Sequence, residues 1–285
     1  MSIATEITRL QTAKNDLKAA IENKGVTVGD GTIDTYAEKV AEIESGGDDS
    51  WYDTFWDSFQ NFGNRTSYSY AFHSSNATVG AWNKDTFLPK YDFKLDGSSY
   101  GMFCYFNHGK EAFDLAKHLE DCGVVLDTSK ASSMGAFFEN SNITRVPALS
   151  LVTNLASLST NLRIFQTCNN LETVDKLIFP ETGGVISSAC FKNNYALKNI
   201  VIEGVIKGYA RSTTNIPSFK DSTHLTVESM KSIISALYDY SGTDEALVYD
   251  VVFASGCLAA LEAEGNTSPN GNTWLEYARD KGWNI

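Results

Sequence analysis

The chain has 285 residues, a formal net charge of −12 and a 42% hydrophobic composition that includes 16 Phe, 13 Tyr and 5 Trp. Such a composition supplies a large core and excludes compositional disorder. The acidic excess runs through both ends with no Lys/Arg cluster, so no nucleic acid is expected as a partner. No apolar stretch approaches the length of a bilayer span, so no membrane insertion is expected either. The first residues, "MSIATEITRLQTAKNDLK", alternate charged and apolar side chains and lack the apolar core of a secretory signal. Cys104, Cys122, Cys168, Cys190 and Cys257 are odd in number and contain no C-x-x-C pair, and they read as reduced, buried small residues.

Residues 2–24 read as a helix capped by Ser2 and ended by Gly25. Ile3, Ile7, Leu10, Leu17 and Ile21 form an a/d seam broken at Lys14. After the turn "GDG", a second helix would start at Thr32 and align Ile33, Tyr36, Ala37, Val40 and Ile43. Two helices in 45 residues bury little among themselves, so this seam needs a partner. It serves either a helical hairpin resting on the main body or a self-association and docking module. "ESGGDDS", residues 44–50, is an acidic, Gly-rich linker. Trp51, Phe55, Phe59 and Phe62 then share one helical face with Tyr52 and Trp56 beside it, as in an aromatic cap helix.

The middle of the chain repeats. Phe137 precedes Ile143 by six residues, and the same step separates Phe165 from Leu171, Phe191 from Leu197 and Phe219 from Leu225. The intervals between these Phe residues are 28, 26 and 28. Apolar runs suited to strands follow at Leu149–Leu151, Leu177–Phe179 and Ile200–Ile202, and weaker copies place Trp82 before Leu88 and a strand near Val124–Leu126. The period lies in the leucine-rich range. Each unit offers a strand and a return segment whose apolar face is hidden only by stacking on its neighbours. Residues 96–123 fit poorly and predict an insertion or a distorted coil.

From Thr226 the rhythm stops. A helix with Met230, Ile233, Ile234, Leu237 and Tyr238 on one face is expected, followed by alternation of Leu247, Tyr249, Val251 and Phe253 in a half-buried strand. A helix over about 255–262, the turn "SPNGN" and a last helix through Lys281 complete a non-repeating end, which a solenoid needs. The expected fold class is α/β: a leucine-rich-repeat-like solenoid over 81–225, an N-terminal helical, coiled-coil-like module over 1–45, a linker and aromatic cap over 46–80, and a C-terminal α/β cap over 226–285.

Chemistry finds no foothold in the motifs. His73, His108, His118 and His224 show no metal-ligand spacing, and no G-x-S-x-G or cysteine-protease signature is present. "DGTIDTYAEKVAEIE" starts like a calcium loop but lacks the acidic third position, the sixth-position Gly and the twelfth-position Glu. No cofactor, metal or catalytic residue is assigned, and no enzyme is expected.

The order "FWDSFQNFGNRTSYSYAF", "WNKDTFLPKYDFKL", Phe-initiated repeats, "LTVESMKSIISALYDYSGTDE" and "SPNGNTWLEYARDKGWNI" resembles phage- and prophage-encoded leucine-rich-repeat proteins whose repeats are related to BspA-like surface repeats. "ITRLQTAKNDLKAAIENKGVTVGDGTIDTYAEKVAEI" separately resembles a helical module that opens phage tail and baseplate proteins. The resemblance implies a virion component and carries no catalytic residues. The expectation is a phage structural and adhesion protein of the virion. It would be anchored to other virion proteins through residues 1–45 and self-associated, with a trimer favoured. Its solenoid would face a host surface glycan or protein, with Tyr195 and Tyr209 as candidates for sugar stacking. The alternatives are a tail-borne glycan-degrading enzyme, a decoration protein of the capsid or tail without a receptor role, and a BspA-like surface adhesin.

Overall fold

In a computed structural model of the chain, the described residues are 3–22, 27–29, 32, 35, 36, 39, 69–73, 86–151, 163–208 and 216–285. The chain divides into two compact units, Met1–Ser58 and Phe59–Ile285. That boundary falls inside the 46–80 segment expected as linker and cap. Most of the expected second helix, the aromatic cap helix and the weak copy's Trp82 lie outside the described residues.

The first unit contains helix α1, Ile3–Glu22. Its end is held by Ile21, which is buried with Val28 and Tyr36 in a small core. The Lys18 ammonium donates to the Gly29 carbonyl at 2.6 Å, tying the following turn back to the helix. Lys14, where the apolar seam is interrupted, lies 5.8 Å from the centre of the Tyr36 ring. Its cation therefore meets a π face where the seam residues supply hydrocarbon.

The second unit is a β-solenoid with helices inserted. Its strands are β1 (Phe93–Lys94), β2 (Phe113–Asp114), β3 (Leu126–Asp127), β4 (Ile143–Val146), β5 (Leu149–Ser150), β6 (Thr173–Ile178), β7 (Asn199–Glu203), β8 (Ser218–Phe219), β9 (Tyr249–Asp250), β10 (Val252–Phe253) and β11 (Trp283–Asn284). Among the described residues every strand pairing is parallel: β1 with β3, β2 with β4, β4 and β5 with β6, β6 with β7, β8 with β10, and β9 with β11. A parallel neighbour requires the chain to return to the same end between strands, and here one coil makes that return. The register puts Val146, Val174 and Ile200 in one inward row and Leu149, Leu177 and Ile202 in another, all buried.

The opposite side of each coil is built around phenylalanine. Phe72, Phe103, Phe138, Phe165, Phe191, Phe219 and Phe253 form a continuous stack, with successive ring centres 4.8–5.8 Å apart and planes within 29°. Phe137 is not in it. The adjacent Phe138 takes the stacked position, and Phe137 meets Phe138 edge-on at 4.8 Å, 84° from parallel. All eight residues expected in the repeat core (Phe137, Ile143, Phe165, Leu171, Phe191, Leu197, Phe219 and Leu225) are buried. The stack also runs further than the expected repeat, through Phe72 and Phe103 at one end and Phe253 at the other.

The backbone flanking each ring explains how it is aimed inward. Tyr70, Gly101, Ala136 and Arg163, each two residues before a stacked Phe, have φ between 55° and 60°. Tyr105, Asn140, Thr167 and Asn193, each two residues after one, have φ between 56° and 62°. These left-handed residues bend the chain sharply on either side of the ring. Backbone bonds then lock each bend to the next coil, as from Phe103 N–H to the Phe137 carbonyl at 2.8 Å and from Asn140 N–H to the Gln166 carbonyl at 2.9 Å. Asparagine side chains add further bonds at the corners. Asn170 donates to the Asn142 side-chain oxygen at 2.7 Å, Asn142 donates to the Lys110 carbonyl, and Asn107 donates to the Glu111 carbonyl at 2.7 Å.

Residues 96–123, expected to hold an insertion or a distorted coil, carry a regular corner around Phe103. The irregularity is an insertion, helix α2 (Leu115–Asp121), capped by the Asp114 carboxylate on Lys117 N–H. It lengthens the step from Phe103 to Phe138 to 35 residues, against 27 and 26 for the two that follow. In the weak early copy Phe87 is buried and Leu88 exposed, so the inward side chain is one residue earlier than expected.

Helix α3 (Val227–Ala236), capped by Thr226, closes the parallel sheet. Met230, Ile233 and Ile234 are fully buried, and two serines on the helix stand in for a further strand. Ser229 Oγ accepts from Ile200 N–H at 2.9 Å and donates to the Lys198 carbonyl at 3.1 Å, while Ser232 Oγ accepts from Ile202 N–H at 2.8 Å. The open edge of β7 is thus satisfied rather than left as a template for another chain. The helix stops at Ala236, so Leu237 and Tyr238, both expected on its apolar face, lie beyond its end, with Leu237 buried and Tyr238 exposed. Leu247, expected in the strand with Tyr249, sits instead in an exposed turn at φ 60°, while Tyr249, Val251 and Phe253 are buried. Helix α4 (Ser255–Glu262) and helix α5 (Trp274–Asp280), the latter with a Thr273–Glu276 capping box, complete the end.

Candidate binding surfaces

The seam of α1 is the first candidate. Ile7, Leu10 and Leu17 are 51%, 56% and 40% exposed, whereas Ile21 is buried in the unit's own core. Only Glu6–Arg9, at 2.5 Å, and Lys18–Glu22, at 3.8 Å, bridge charges along this helix among the described residues. Such exposed i,i+3 and i,i+4 pairs contribute roughly 0.3–0.5 kcal/mol. α1 therefore displays a row of large aliphatic side chains to water. Tyr36 is buried, Ile3 begins the helix, and Ile33, Val40 and Ile43 lie outside the described residues.

On the solenoid, Tyr195 is 52% exposed and its hydroxyl donates to the Asn193 side-chain oxygen at 3.1 Å. Tyr209 lies outside the described residues. A larger aromatic surface, invisible in the repeat pattern, occupies the early corners. Tyr100, Tyr70, His73, Tyr105 and His108 form a ribbon in which successive ring centres are 5.6, 5.6, 5.3 and 5.4 Å apart, with planes 61–78° from parallel. Tyr70 and Tyr105 are about two-fifths exposed, at 39% and 38%. Both are left-handed: Tyr105 stands where Asn140, Thr167 and Asn193 stand in later coils, and Tyr70 where Gly101, Ala136 and Arg163 stand. A bulky side chain in that conformation costs of order 1–3 kcal/mol. The Tyr70 ring also needs Gly101 beneath it, because a Cβ there would lie 2.6 Å from the ring.

A polar chain borders the ribbon. Tyr70 hydrogen-bonds to Tyr100, the Arg163 guanidinium donates to the Tyr100 hydroxyl at 2.9 Å, and the same guanidinium meets Glu139 at 3.4 Å. Burial pushes the Glu139 carboxyl above its ordinary range while Arg163 pulls it back. Burial also holds His73 below the usual histidine value, so that its ring is neutral at pH 7. The cluster thus offers aromatic faces beside hydrogen-bonding groups.

The outward side of the sheet carries cross-coil ion pairs. Arg145 grips Asp175 through two bonds of 2.6 and 2.8 Å, with Asp114 and Glu120 at 3.7 and 3.8 Å, while Lys176 meets Glu203 at 2.6 Å and Lys198 meets Glu172 at 2.9 Å. With both partners partly exposed, each is worth at most about 1 kcal/mol. Among the described residues these pairs join charges of both signs from one coil to the next.

The five cysteines are free thiols, four of them buried. Burial pushes Cys104 and Cys190 up to about 12 and Cys168 higher still, which keeps these three thiols protonated at neutral pH. Among the described residues, no group of three or more His, Cys, Asp or Glu side chains is placed to hold a metal ion. Among the same residues, no helix is long and apolar enough to cross a membrane. Compared with protein-family models, curated proteins and solved structures, the chain finds no significant match in any of the three.

Proposed function

We propose that this chain is a structural and adhesion component of a phage virion. Its N-terminal helices attach it to other virion proteins and to copies of itself, and its solenoid is turned toward a host surface. The observation that carries the reading is the division of labour along the chain. One unit exposes Ile7, Leu10 and Leu17 on a single helix, and the other is a long stacked body whose last sheet edge is covered by α3. An exposed a/d row is stabilised by a facing helix, and Ile among its members is compatible with a trimer. A rigid solenoid supplies extended surface without a pocket, and several copies joined at one end multiply weak contacts. The repeat period, the phenylalanine stack and the asparagine-bonded corners support the finer reading of the coils as leucine-rich repeats of the BspA-like kind.

Sedimentation of the full chain and of a version lacking residues 1–45 tests the anchoring role. The full chain is expected to sediment as a trimer, and the truncated one as a folded monomer. Equal association states would refute it. Antibody labelling of particles from a producing strain tests the virion role directly, and particles lacking the chain would refute it.

A further inference from the structure

We infer that the ribbon Tyr100–Tyr70–His73–Tyr105–His108 is a binding site for a neutral glycan chain. The inference rests on the adhesion reading and deepens it by naming a place and a ligand class. Three features of the ribbon converge. First, among the described residues the ring contacts within the ribbon are edge-to-face, and Tyr70 and Tyr105 keep about two-fifths of their surface exposed. Tyr is suited to such duty because its apolar body covers the C–H face of a sugar while its hydroxyl stays hydrated.

Second, the backbone does not ask for tyrosine here. The corner that takes Tyr105 takes Asn140 and Asn193 in other coils, and Asn accepts the left-handed conformation far more readily. A strained large side chain kept where a small one fits indicates a role beyond folding. Gly101 points the same way, since it clears the space in which the Tyr70 ring lies.

Third, the bordering groups select charge. The Tyr70–Tyr100–Arg163–Glu139 chain can donate to and accept from ring hydroxyls, yet its one guanidinium already faces a carboxylate. A sulfated or phosphorylated polymer would find the guanidinium of that chain already matched, and it would approach a chain of net charge −12. An uncharged pyranose chain meets neither penalty. The ribbon also joins consecutive coils, Tyr70 from the Phe72 corner and Tyr100 and Tyr105 from the Phe103 corner, so an extended ligand can lie across them.

The test uses the full chain with cellohexaose, maltohexaose, mannohexaose and chitohexaose as neutral probes and dextran sulfate as the polyanion, with affinity read by calorimetry and folding by melting temperature. At least one neutral hexasaccharide should bind. Tyr105→Asn and Tyr70→Asn should each weaken it tenfold or more while the melting temperature holds or rises. The site is refuted if no hexasaccharide binds, if dextran sulfate binds in preference, if both variants bind like the parent, or if Tyr105→Asn lowers the melting temperature as loss of a structural residue would. Adsorption to bacterial cells separates this inference from the reading beneath it. Parent and Tyr105→Asn chains adsorbing equally would refute the site and leave adhesion standing. A parent that binds a hexasaccharide but no cell would do the reverse.

Discussion

Phe138 and Phe165 lie 5.8 Å apart with ring planes 7° from parallel, the flattest contact in the stack. Phe165 has a ring above it and a ring below it, with Phe191 at 5.3 Å on the other side, so its removal opens a cavity bounded by two coils. Phe165→Ala is expected to lower the unfolding free energy by about 3–5 kcal/mol. Phe165→Leu should cost less, since it keeps volume and loses mainly the ring contacts. Urea unfolding of both variants checks the order, and an alanine variant within 1 kcal/mol of the parent would remove the stack from any stabilising role.

The serine cap on β7 makes a sharper prediction. Ser229→Ala and Ser232→Ala leave the Ile200 and Ile202 N–H groups without their acceptors. Each is expected to cost about 1–3 kcal/mol, the penalty of a buried donor left unpaired. Hydrogen exchange should accelerate first at Ile200 and Ile202. Protection unchanged at both amides would show that α3 covers the edge by packing alone.

Thiol labelling reports the burial of the stack's neighbours. Cys168 donates to the Phe138 carbonyl at 2.8 Å inside the solenoid, and its thiol is pushed far up by burial. Iodoacetamide at pH 8 should leave Cys168 and Cys190 unmodified in the folded chain and modify all five thiols in urea. Cys122, the only cysteine that is not buried, should react first. Mass spectrometry that found Cys168 labelled as fast as Cys122 would contradict the arrangement.

Three turn and cap carboxylates set an acid limit. Hydrogen bonds from Ser129 hold Asp127 below the ordinary carboxylate range, those from Ser241 do the same for Asp239, and those from Thr273 do so for Glu276. A depressed folded value means that the unfolded chain binds more protons across the window between the two values. The stability they contribute is therefore complete above the unfolded values, near pH ~4, and is lost as pH falls through the folded ones. Asp127→Asn, Asp239→Asn and Glu276→Gln combined should flatten the fall in melting temperature between pH 5 and 2, and an identical acid profile would refute the assignment.

Much of the molecule is written in local pattern. From Phe165, Phe191 and Phe219 the six-residue step to a Leu marks a corner ring and a buried residue of the next segment, and it recurs because every coil must hide the same two faces. The Thr226 cap and the helix after it are equally local, because a hydroxyl before an apolar stripe satisfies the free N–H groups of any helix start. The break at Lys14 was legible as a gap in the α1 seam, though not its reason, a ring brought close from beyond the turn.

Between Phe137 and Phe138 the pattern is silent, since both are apolar, adjacent and buried. Only contact with Phe103 above and Phe165 below decides which one stacks. The ribbon of Tyr70, His73, Tyr100, Tyr105 and His108 is likewise a product of stacking, because its members come from two coils and no periodicity links them. The sequence by itself determined that coils must form and which faces they bury, because burial follows from residue type and spacing along one chain. Which residues meet across coils, and which left-handed corners carry tyrosine into solvent, depend on the registration of one coil upon another, and that exists only once the stack is built.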